Sequence, residues 1–168
     1  MLPDIDVRLA NTLKALTEVV LPAIPADAPL AREQAQLAVA HLGVVARQWK
    51  DALAFELESL DAACRLARDL AGQLADTARA VALEGAVARA DDIDRRRYDA
   101  VSAAHRELVA LIAAAIAEDR VASPLAAGIA DRVLAYAERQ ALRERAWFAA
   151  CGLDPDRDSL PSLDTLAG

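Results

Sequence analysis

Apolar residues recur at three- and four-residue steps along most of this chain, the spacing of one helix face. From about Asp4 to Val20 the set Ile5, Leu9, Leu13, Leu16 and Val20 makes a narrow stripe, with Asp4 or Asp6 placed to cap its start. Pro22, Pro25 and Pro29 then break the helix. A second helix is expected from near Asp27 or Ala28, with Pro29 in the first turn, where a missing N–H costs nothing. Its polar side is Arg32, Gln36, Arg47, Lys50 and Glu58. Leu30, Leu37, Leu42, Val44, Val45, Trp49, Leu53 and Phe55 spread over roughly 200° of its circumference, against the ~100° that suffices for a surface helix. Such a helix is covered on more than one side, by its own bundle or by another chain.

The segment from Leu60 to Leu83 is the cleanest amphipath. Leu60, Cys64, Leu70, Leu74, Ala78 and Val81 share one face, and Asp61, Arg65, Arg68, Asp69, Asp76 and Arg79 the other. Its phase continues that of the second helix, so the pattern permits one helix from about 28 to 84. Helices average roughly 11–12 residues, which favours a break near Glu58 to Asp61. Gly85 reads as a C-terminal stop. Asp91 or Asp92 can cap a further helix to about Asp119, with Ile93, Val101, Ala104, Leu108, Leu111, Ile112 and Ala115 as its stripe. Ser123 and Pro124 mark the clearest boundary, an N-cap followed by N1 proline. The last helix runs to about Ala150 and stops at Gly152, with Leu125, Ile129, Val133, Tyr136 and Trp147 along its stripe.

The pattern predicts an all-α fold: an extended antiparallel bundle of four-helix type with an additional N-terminal helix across one face or end. Residues 1–152 are expected to form one helical domain, and the acidic segment 153–168 a mobile tail in which Leu160, Leu163 and Leu166 could dock on a neighbour.

Composition sharpens this. Forty-two residues are Ala, the best helix former, and 4% are aromatic. Helices packed through small side chains follow. Arg is common and Lys is confined to Lys14 and Lys50, a bias that suggests a GC-rich bacterial genome. A net charge of −7 argues against a nucleic-acid partner, which needs a basic footprint. Arg95, Arg96 and Arg97 cluster before Tyr98, but Asp91, Asp92, Asp94 and Asp99 flank them and cancel most of their field. Cys64 and Cys151 form no metal-type pair, and a reduced, cytoplasmic protein is the expectation. The N-terminus does not read as a signal peptide. The uncharged run from Leu108 to Ala117 lies between Glu107 and Glu118, far short of the ~20 residues of a membrane span. No membrane contact is expected.

Polar residues on dry faces are the informative exceptions. Gln34, His41 and Gln48 recur every seven residues inside the apolar arc of the second helix, and Glu56 also falls there. His105 lies between Val101 and Leu108, while Gln140 and Glu144 interrupt the stripe between Tyr136 and Trp147. Antiparallel register places His41, Tyr98, His105, Tyr136, Gln140 and Glu144 near mid-bundle, a candidate buried polar layer. Two readings of it stay open: a ligand or metal pocket, or a hydrogen-bond network that fixes helix register. Di-metal carboxylate chemistry is argued against, because Ala38 and Ser102 stand where a Glu-x-x-His motif needs Glu. There is no HExxH, no phosphate-cradling glycine loop and no matched acid–base pair. No catalytic residue, cofactor or metal ligand is therefore assigned.

Leu13, then Val20, Leu21, Pro22, Ala23 and Ile24, then Arg32, and later Leu42 with Val44, Val45, Ala46, Arg47 and Gln48 carry a family resemblance. This stretch, about residues 13–48, resembles small helical proteins that accompany aminoglycoside-phosphotransferase-like 4-hydroxyacyl-CoA kinases. It covers under a quarter of the chain, and the family's usual Arg-Glu appears here as Arg47-Gln48. The resemblance implies an accessory subunit with an enzyme partner. The expected function is thus a non-catalytic helical interaction protein, a homo-oligomer or the partner of another helical chain. The alternative is a bundle that binds a small molecule or metal at its polar layer.

Overall fold

The computed structural model describes residues 4–74, 77–122, 127–149 and 154–166. It is all-α, with no strand among the described residues. Helix α1 (Ile5–Ala15) starts on Asp4, whose Oδ1 accepts the N–H groups of Asp6 and Val7 at 3.0 and 3.3 Å. It passes into a π turn (Leu16–Val20) and the short α2 (Leu21–Ala23). Pro22 explains the loosened turn: it has no N–H for the carbonyl of Glu18 and its ring crowds that carbonyl. Helix α3 (Pro29–Gln48) begins with proline at N1, as its sequence requires.

Three boundaries differ from the hydrophobic pattern. The chain turns at Trp49–Asp51, not at Glu58–Asp61, and α4 (Ala52–Ala71) follows. Glu58 and Ser59 look like breakers but are accommodated by a neighbouring helix: Glu58 pairs with Arg143, and Ser59 bonds Phe55 O and Gln140. Helix α4 then stops at Gly72, whose N–H caps on Arg68 O, rather than running on to Leu83. Gly85 is no stop; it lies inside α5 (Thr77–Asp91). Burial of Leu83, Ala86, Val87 and Ala90 on that helix outweighs the ~1 kcal/mol that a mid-helix glycine costs. Asp91 therefore closes α5 instead of capping its successor, and α6 (Tyr98–Ala122) starts later than expected. Helix α7 (Ala127–Phe148) and the short α8 (Leu163–Leu166) complete the set. The Ser123–Pro124 boundary and the Gly152 stop lie outside the described residues.

Helices α4, α5 and α6 pack on one another, and α7 lies along α4. The core sits among them: Leu60, Leu70, Leu83, Val101 and Leu108 are almost wholly removed from solvent. Among the described residues α6 alone is long and apolar enough to cross a membrane, over Tyr98–Ala117 with mean hydropathy 1.5. Here its Val101, Leu108, Ile112 and Ala115 face the protein core. Surface arginines tie the body together, Arg68 to Asp91, Arg89 to Glu107 and Arg132 to Asp69. The arginine cluster is paired too: Arg95 with Asp61, Arg96 with Asp94 and Arg97 with Asp99.

The N-terminal arm is built differently. Helix α1 packs against α3, yet neither helix, nor the π turn and α2 between them, holds a buried residue. At its root Asp6 accepts the Trp49 indole N–H at 3.0 Å and pairs with Lys50, which holds the Asp6 carboxyl below its ordinary range.

The C-terminal segment folds back. Arg145 binds Asp154 and Asp156, and α8 packs on α7. The Arg145 guanidinium brings the Asp154 pKa down to about 2.

Candidate functional site

The residues expected in one polar layer are distributed over three places. The first is between α4 and α6. His105 Nδ1 lies 3.0 Å from Glu56 Oε2, with both side chains less than a fifth exposed. A carboxylate only accepts, so Nδ1–H donates to Glu56 and Nε2 is left on the far side of the ring. That Nε2 is buried with no partner among the described residues. Tyr98 OH reaches the other Glu56 oxygen at 3.5 Å.

The second place is the seam between α4 and α7. Gln140 Nε2 donates to Ser59 Oγ at 3.2 Å, and Ser59 Oγ donates to Phe55 O at 3.0 Å. One turn along α7, Arg143 is 3% exposed. Its guanidinium pairs with Glu58, donates to Phe55 O at 3.2 Å and lies 4.9 Å from the Phe55 ring centroid. Trp147 also stacks on Phe55, the two ring centroids 4.4 Å apart. Tyr136, on the same stripe, is half-buried against the core; burial pushes its phenol pKa up, and the Glu144 charge adds to that. Arg143 was not among the expected residues, although the signal was present. Ile129, Val133, Tyr136, Gln140, Arg143 and Trp147 follow a strict four-three alternation, so Arg143 belongs to the buried stripe and Glu144 falls one position off it.

The third place is a groove of about 730 Å³ between α3 and α7. Leu37, Ala40, His41 and Val44 form one wall, and Glu144, Arg145 and Phe148 the other, with Asp154 and Pro155 at one end. His41 and Glu144 are therefore exposed residues of this groove and do not join His105. Gln48 closes it by donating to Trp147 O at 2.8 Å.

Comparison with protein-family models, curated proteins and solved structures finds no match. The chemistry of the three places must be read from geometry. Among the described residues no three His, Cys, Asp or Glu side chains lie close enough to share a metal ion. Cys64 is buried, and burial pushes its thiol pKa up, away from the thiolate that reacts. The His105–Glu56 pair and the Arg143 seam each join two core helices, as register-fixing polar contacts do. The groove differs from both, because its apolar walls face outward.

Proposed function

We propose that this chain is a non-catalytic helical interaction protein whose N-terminal arm is the docking element. The observation that supports this most directly is the arm without a single buried residue. Ordering each backbone residue costs about 1–2 kcal/mol, and an isolated helical hairpin with its apolar faces wet does not offset that. Leu30 is 67% exposed, Val19 66%, Val7 52% and Val45 49%. Covering such faces against another helical chain supplies the missing burial. The partner is a second copy or an enzyme that the chain serves as accessory subunit, in keeping with the kinase-associated proteins that residues 13–48 resemble. A cytoplasmic setting goes with this reading.

Light scattering of the pure chain, with titration of a dye that fluoresces on apolar surface, tests the proposal. The expected result is a mass above 17.8 kDa or, for a monomer, dye binding that is lost in a Leu30→Glu, Leu37→Glu variant. A strict monomer that binds no dye would overturn it.

The groove supports a second reading, a small-molecule site. Its volume and apolar walls suit a drug-sized ligand, and His41 and Glu144 are placed to orient one. A thermal-shift screen with acyl-CoA compounds and metals, together with elemental analysis, tests this. A ligand that binds only the folded chain raises Tm by mass action; no shift and no bound metal would remove the reading.

A further inference from the structure

Helix α3 has two apolar sides. Ala35, Val39, Leu42 and Ala46 lie on one, the half-buried side on which α1 packs. Opposite them run Leu30, Gln34, Leu37, His41, Val44 and Gln48, again at alternating four- and three-residue steps. This second row has the spacing of a coiled-coil seam. Its N-terminal half is open to solvent, with Leu30 67% and Leu37 45% exposed.

We infer that the seam is closed by the same seam of a second copy, the two α3 helices lying parallel. This rests on the arm being a docking element and names its partner. Three features favour a second copy. The first is the order of residues along the seam. Parallel pairing sets leucine 30 on leucine 30, glutamine 34 on glutamine 34, leucine 37 on leucine 37 and histidine 41 on histidine 41. Apolar layers then meet apolar layers, and each buried amide meets a group that can bond it. Antiparallel pairing would set an apolar residue against a polar one in every layer.

Charge is the second feature. Residues 1–50 carry five basic and five acidic side chains, so the net charge of −7 falls entirely on residues 51–168. Two copies repel through their bodies and not through their arms, and an interface on the neutral arm keeps the like charges apart.

The third is size. A 20-residue helix is ~30 Å long and ~10 Å wide, so α3, with α1 behind it, presents a strip of roughly 300 Å² in projection. Side-chain relief and the neighbouring α7 wall of the groove must add to this to reach the about 800 Å² per partner of a stable interface. Phe148, 53% exposed on the opposite groove wall, flanks the incoming helix.

Sedimentation equilibrium across micromolar concentrations, with hydrogen exchange of the same samples, tests this. The chain is expected to dimerise. Leu30→Glu with Leu37→Glu should weaken the dimer on the order of 100-fold or more, because a charge is desolvated in two layers. Both positions are exposed in the single chain, so its circular dichroism should not change. Leu30→Cys in a Cys151→Ser background should oxidise to a linked dimer, because parallel pairing brings residue 30 onto its own copy. Antiparallel pairing would leave those positions about 20–30 Å apart, so a dimer that fails to link overturns the parallel seam. A dimer that survives the double glutamate change overturns the assignment to α3. A monomer with unprotected α3 amides overturns the second copy but leaves the face open to another chain, as the docking proposal requires. A monomer whose α3 amides are protected like those of α6 overturns both.

Discussion

The body and the arm are made from the same residue types and differ in what those residues touch. In α4 a stripe of Leu60, Cys64, Leu66 and Leu70 disappears into contacts with α5, α6 and α7. In α3 an apolar surface meets α1, the π turn and α2 on one side, and on the other lies open to solvent except near Gln48, where it touches α7. Amphipathic pattern alone therefore does not separate a core helix from an interface helix. The separating feature is the second row of positions, whose N-terminal half, at Leu30 and Leu37, is left exposed by the described residues.

The largest expected effect lies in the body. Leu60→Ala or Leu108→Ala, both at fully buried positions, should destabilise the chain by about 2–5 kcal/mol through lost transfer energy and the cavity left behind. Leu9→Ala or Val39→Ala on the half-buried arm should cost less than about 1 kcal/mol in the same denaturant titration. Equal losses in the two regions would break the comparison.

Next comes the seam that binds α7 to α4. Arg143→Met keeps the aliphatic bulk and removes the donors to Glu58 and Phe55 O. Glu58 is 43% exposed and stays solvated, so the expected cost is about 1–2 kcal/mol rather than that of a stranded buried charge. Near-zero loss in urea unfolding would mean that stacking of Trp147 on Phe55 alone holds the joint.

The two histidines should diverge, because they occupy different places. His105→Leu removes the partner of a mostly buried carboxylate and should shift stability by on the order of 1 kcal/mol, with the oligomer unchanged. His41→Leu, at an exposed seam position, should leave the Tm of a dilute sample alone and change the dissociation constant of the assembly. Identical behaviour of the two variants, in Tm and in mass, would return them to one layer.

The smallest effect concerns the C-terminal segment. The pKa of Asp154 is lowered from 3.8 to about 2 by Arg145, so the clamp stabilises the folded state above pH 4 and its contribution is lost as pH falls towards 2. Proteolysis of the tail should accelerate over that window, and in Asp154→Asn at neutral pH as well. A cleavage rate unchanged by either treatment would show that α8 alone holds the segment.

The helical class, the Asp4 cap, the proline start of α3 and about half of the core were legible in sequence, because each follows from local chemistry or a period of 3.6. The helix breaks were not. Glu58–Ser59 resembles a turn until Arg143 and Gln140 arrive from 80 or more residues away to satisfy it. Gly85 resembles a stop until tertiary burial overrides its propensity. Among the polar residues, His105, Tyr136 and Gln140 do face neighbouring helices, whereas His41 and Glu144 line a groove. Register counting failed there because it took the second and last helices as packed along their length. The structure instead lets them diverge from a contact at Gln48 and Trp147.

The two tryptophans sit on either side of this contact. Trp49 is tied to Asp6 at the root of the arm, and Trp147 stacks on Phe55 at the α4–α7 joint. With no third indole in the chain, its intrinsic fluorescence is a two-channel signal. The wetter Trp49 emits further to the red, the stacked Trp147 further to the blue. Replacing either with Phe leaves one unlabelled reporter for the arm or one for the body, so detachment of the arm can be timed separately from melting of the core.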